Sequence, residues 1–83
     1  MKPIRLTLHA QAKIFDRGIA VEWVDAVVRD PAWVEAEPRD PQAERRFGAV
    51  QAFGGRILRG VCVETDTVIR IITATFDRGA KRP

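Results

Sequence analysis

The spacing of apolar residues in this chain changes once, near residue 45, and that change restricts what the chain can fold into. Before it, two segments repeat at the helical period. After it, Arg45–Phe53, Arg56–Glu64 and Thr67–Phe76 alternate with period two. Helical segments followed by a run of strands are the order of an α+β domain. The expected fold is two N-terminal helices packed on one side of an antiparallel sheet of three to four strands. With 83 residues, one domain spanning 1–83 is expected, large enough for one core about two layers deep.

The helical segments carry their own punctuation. Thr7 can cap a helix over Leu8–Arg17, and Gly18 supplies a left-handed stop. Within it Ala10, Gln11, Ile14 and Phe15 share one wide arc, while His9, Lys13, Asp16 and Arg17 lie opposite or at its edge. Val21–Asp30 is the cleaner amphipath. Val21, Trp23, Val24, Val27 and Val28 share one face, and Asp25 and Arg29 form an i,i+4 pair on the other before Pro31 ends the helix. Ile4-Arg5-Leu6 is a short extended candidate, Trp33–Glu37 a weak strand, and Pro38-Arg39-Asp40-Pro41 a loop.

Gly54-Gly55 and Thr65-Asp66 signal hairpins. Two-residue loops at both predict Phe47 opposite Cys62, Val50 opposite Arg59, Arg45 opposite Glu64, Val63 opposite Val68 and Leu58 opposite Thr73. Paired residues share a face. One face then collects Phe47, Leu58, Cys62, Ile69, Ile71, Thr73 and Thr75, and is the better floor for the helices. The other collects Val50, Val61, Ile72 and Phe76 with Arg46, Arg59 and Arg70. A bulge in any of these strands exchanges the faces beyond it.

Charge follows the same division. Residues 1–44 carry six Lys/Arg against eight acids, a balance of −2, and residues 45–83 carry eight against three, a balance of +5. An arginine-bearing sheet face is a plausible surface for phosphate, since Arg presents a planar fork of donors. A GC-rich genome would by itself also raise the arginine count. The tail residues Arg78, Lys81 and Arg82 can add weak phosphate attraction.

Composition excludes several chemistries. One cysteine, Cys62, cannot form an internal disulfide, which suits a reducing cytoplasm, and it reads as a small buried hydrophobe. One histidine, His9, rules out RNA cleavage by a histidine pair and leaves no zinc set without added carboxylates. No apolar run approaches the ~18–20 residues of a membrane span. No metal or cofactor is expected. His9 itself offers an imidazole that can act as a general base or contact phosphate, or serve simply as a helix-start residue. Arg17, in the last helical turn, can anchor a phosphate or complement the helix dipole.

His9-Ala10, Arg17-Gly18-Ile19, Val24, Val27-Val28, Gly55-Arg56-Ile57-Leu58-Arg59-Gly60-Val61 and Ile71-Ile72-Thr73-Ala74 together resemble a bacterial family known as domain of unknown function 4258, over roughly residues 7 to 76. The Arg70-Ile71-Ile72-Thr73-Ala74 run is also similar to BrnT-type toxins, relatives of the RelE/ParE superfamily. That resemblance implies a RelE-like domain that lays RNA or an acidic antitoxin segment on its sheet. It also implies Thr73 as a site residue beside His9 and Arg17. Two functions follow. One is a toxin-like RNA-binding domain of a toxin–antitoxin system, acting as a metal-independent ribonuclease through His9, Arg17 and Thr73, with Arg46, Arg59 and Arg70 on the RNA. The other is a non-catalytic module that receives a partner segment on its sheet. The single histidine and the lack of any tyrosine favour the second, and the arginine face favours the first.

Overall fold

The structure is a computed structural model that describes all 83 residues. It is α+β, with elements in the order β1 (Ile4–Leu6), α1 (Leu8–Asp16), α2 (Val21–Arg29), β2 (Trp33–Ala36), β3 (Glu44–Val50), β4 (Arg56–Glu64) and β5 (Ile69–Phe76). The sheet has five strands in the order β1-β5-β4-β3-β2, more than the expected three to four. It is mixed, because β1 pairs parallel to β5 while the other neighbours are antiparallel.

Both ends of α1 are set locally. The Thr7 hydroxyl accepts from the Ala10 N–H at 3.0 Å. At the other end Gly18 has φ 64°, its N–H donates to Phe15 O, and the Ile19 N–H donates to Ile14 O. These two bonds make a Schellman stop, with Ile19 and Ile14 both buried at its hydrophobic contact. α1 differs from its expected face at two residues, Gln11 and Phe15, both of them exposed. Ala10 and Ile14 are buried, but Phe15 is 87% exposed, because α1 crosses the edge of the sheet and not its centre.

α2 presents Val24, Val27 and Val28 to the sheet, as its spacing predicts, and Arg29 bridges Asp25 on the wet side. With Ile14, Val24 and Val28 from the helices, Leu58, Cys62, Ile69 and Ile71 from the strands form one buried cluster. Each such side chain contributes roughly 1.5–3 kcal/mol on burial.

The register differs from the two-residue expectation at both hairpins. After Val50 the chain makes one 3₁₀ turn, Gln51–Phe53, before Gly54 (φ 69°) and Gly55 (φ 75°) complete the reversal. Five loop residues in place of two pair Val50 with Arg56 and Phe47 with Arg59. The slip is three residues, an odd number, so β3 is turned over. Phe47 moves to the face away from the helices and Val50 joins the core. At the second hairpin Glu64 pairs with Ile69, an even slip that leaves Ile69 and Ile71 facing the helices. A bulge opposite Val61/Cys62 then takes up Ile72. Beyond it the faces exchange: Thr73 and Thr75 lie on the open face, and Ala74 and Phe76 pack toward the core.

Candidate nucleic-acid interface

The overturned β3 removes Arg46 from the open face. Its guanidinium lies on the helix side, donating to the Val28 carbonyl at 2.7 Å and to Glu44 and Glu64 at 2.8 Å each. With Nε, Nη1 and Nη2 each engaged inside the protein, Arg46 ties α2 to the sheet. Glu64 also accepts from Lys2 at 2.6 Å. Those two donors, Lys2 first and Arg46 second, hold the Glu64 carboxyl below the usual carboxylate range. The expected Arg45–Glu64 pair is replaced by Arg45–Glu37, 3.1 Å, and the Arg45 hydrogen bond lowers the Glu37 carboxyl in the same way.

Arg59 and Arg70 do reach the open face. Arg59 sits at its centre, opposite Phe47 and Thr75, with Nη1 on Asp77 Oδ2 at 2.8 Å. Its Nε is buried without a hydrogen-bond partner, a donor that costs about 1–3 kcal/mol to leave unmatched. Arg70 is exposed and bridges to no carboxylate. Its neighbour in the parallel register is Arg5, equally exposed and unbridged.

The three residues put forward for catalysis occupy three different places. His9 is exposed in the first turn of α1. Arg17 caps the same helix about 12 Å further along its axis, at 1.5 Å per residue. Its Nη1 donates to the Ala74 carbonyl at 2.8 Å, on the flank of β5 left free where β1 stops at Leu6. Thr73 lines a depression of about 370 Å³ on the open face with Arg39, Arg45 and Arg59. His9 lines neither that depression nor the larger cleft described next.

At the end of the sheet, where β4 starts and β5 finishes, a cleft of about 550 Å³ opens. Arg17, Arg56 and Arg78 line it with Thr75, Phe76 and Asp77. None of the three arginines bridges to a carboxylate. The one carboxylate present, Asp77, gives Oδ2 to Arg59 and Oδ1 to the Gly79 N–H at 3.0 Å. Behind Arg56, Phe53 and Phe76 pack with ring centroids 4.8 Å apart and Trp23 completes the aromatic group. Sequence reasoning missed this cleft because its arginines come from three distant segments. The signals present were Phe53-Gly54-Gly55-Arg56 and Phe76-Asp77-Arg78, each an aromatic two or three residues from an arginine.

Across the molecule, five of the fourteen Lys and Arg side chains, namely Lys2, Arg29, Arg45, Arg46 and Arg59, bridge to carboxylates. The other nine do not; among them Arg5 and Arg70 lie on the open face at one end, Arg39 lines the depression beside Thr73, and Arg17, Arg56 and Arg78 line the cleft at the far end of the sheet. No three His, Cys, Asp or Glu side chains group as metal ligands, and no helix is long and apolar enough to cross a membrane.

No curated protein and no solved structure matches this chain. A family model does, and its span of residues 6–76 takes in both helices and the sheet from Leu6 to the last residue of β5; the chain belongs to the family described as domain of unknown function (DUF4258).

Proposed function

We propose that this domain binds RNA along its sheet, from the open-face pair Arg5 and Arg70 to the arginine cleft at the far end, as a toxin-like module of the kind suggested by the sequence resemblance to BrnT-type toxins. The observation that carries the reading is the placement of unbridged arginines. Arg5 and Arg70 stand at one end of β5 and Arg17, Arg56 and Arg78 at the other, about 20 Å away at 3.3 Å per residue. Between them lie the Thr73 and Thr75 hydroxyl groups. Charge at both ends with neutral donors between suits a phosphate backbone, whose contacts position a strand without reading its bases. Cleavage would need a base, an acid and a cation around one phosphate. His9, Arg17 and Thr73 stand apart, so the reading commits to binding. Titration of a short single-stranded RNA at low salt tests it, with a mixed RNA pool incubated alongside to detect cutting. Tight binding with intact RNA is expected, and absence of binding removes the proposal.

A second reading rests on α1. Leu8 and Phe15 are 83% and 87% exposed, and with Ala12 they form one apolar stripe at i, i+4 and i+7. Such a stripe suits an apolar groove or helix of a partner protein. Loss of partner capture in Leu8→Ser and Phe15→Ser, with RNA binding retained, would establish it as a separate surface.

A further inference from the structure

The end cleft has a composition that a general phosphate surface does not need. Two of its three arginines are held in place by the protein itself. Arg17 is anchored by the Ala74 carbonyl at 2.8 Å, and the Arg56 guanidinium carbon lies 4.8 Å from the centroid of the Phe53 ring. Side chains fixed in advance lose less rotamer freedom when a ligand arrives. Three arginines against the single, already engaged Asp77 leave the lining at +2. The wall beside them is aromatic, since Phe76 lines the cleft and packs on Phe53. At about 550 Å³ the cleft falls within the ~300–1,000 Å³ of small-molecule sites, well beyond what a bare anion fills.

We infer that the end cleft is a subsite for one nucleotide, with its phosphate among Arg17, Arg56 and Arg78 and its base against Phe76. The inference deepens the RNA reading and rests on it for the identity of the full ligand. Phosphate recognition comes from charge-assisted bonds to guanidinium forks, and base recognition from stacking on a π-face that any base can use. Thr75 adds a hydroxyl within the same lining.

The test is a backbone amide titration of the full chain, followed by NMR, with uridine 5′-monophosphate, uridine, inorganic phosphate and a short single-stranded RNA. Uridine monophosphate is expected to shift Gly55, Arg56, Phe76 and Arg78, and to bind on the order of tenfold more tightly than either uridine or inorganic phosphate. Arg56→Gln and Arg78→Gln are each expected to weaken it on the order of tenfold without lowering Tm, while Arg29→Gln on α2 leaves it unchanged. RNA that binds without moving these amides overturns the nucleotide subsite and leaves the RNA reading standing. Uridine monophosphate that binds at these amides of a protein indifferent to RNA retains the subsite and overturns the RNA reading. Inorganic phosphate binding as tightly as the nucleotide overturns the role given to Phe76.

Discussion

Val28 sits so close over Gly60 that a β-carbon added there would lie 2.9 Å from its Cγ1. Val27 stands in a similar relation to Gly48, at 3.2 Å. α2 therefore rests on two glycines of β3 and β4, which let its valines approach the backbone. Gly60→Ala is expected to destabilise the fold by about 1–3 kcal/mol, the usual cost of overpacking, with Gly48→Ala milder. Chemical denaturation measures both, and an unchanged midpoint for Gly60→Ala would mean α2 lies further out.

Arg46 and Arg70, once expected on the same face, should behave oppositely when removed. Arg46→Ala strips a donor from the Val28 carbonyl and leaves Glu44 and Glu64 facing each other, so Tm should fall while the salt dependence of RNA affinity is unchanged. Arg70→Ala removes an exposed, unbridged charge, so Tm should hold and RNA affinity should drop. Melting curves and RNA titrations of the two variants decide this, and a reversal of the pattern would contradict the register.

The helices and their stops were open to reading in the sequence because their signals are local. Thr7, Gly18, Pro31 and the Asp25–Arg29 pair each act within one turn of where they stand. Register was not, because a single 3₁₀ turn at Gln51–Phe53 and the extra residue at Ile72 each move side chains by an odd step. These two insertions sent Phe47, Arg46 and Thr73 to faces opposite those that alternation alone predicts. Ile4–Leu6 is legible as an extended segment, but its pairing is not: three residues pair in parallel with a strand 65 positions away, Ile4 with Ile69, and no local pattern marks such a partner. The candidate site divides the same way. Arg59 and Arg70 keep their expected face, Arg70 because it precedes the bulge at Ile72, whereas the end cleft gathers residues 17, 56 and 78 only through the tertiary fold.

Acid should weaken the fold through Glu64 and Glu37. Both carboxyls are held below their ordinary range by arginine or lysine donors, so they bind protons less readily folded than unfolded. Their contribution is complete above the unfolded value, about 4.3, and is lost as pH falls through the lower folded values. Tm should therefore decline from about pH 4.3 downward, and Glu64→Gln should flatten that decline. A Tm profile identical in Glu64→Gln and wild type would show that the Lys2–Glu64–Arg46 cluster has no weight in stability.

Cys62 is fully buried, and burial pushes its thiol up to about 11. At pH 8 the native protein should resist alkylation, because neither access nor thiolate is available, and should react promptly in denaturant. Rapid modification of the folded chain would place Cys62 outside the core cluster.

The salt dependence of single-stranded RNA affinity tests the RNA reading most directly. Log K for wild type should fall linearly with log salt, and Arg70→Ala and Arg56→Ala should each shallow the slope by about 0.7, one phosphate contact apiece. Arg59 is a poorer probe, since its charge is already matched by Asp77. A wild-type protein that fails to bind RNA at low salt, or a slope that neither variant changes, would contradict the account.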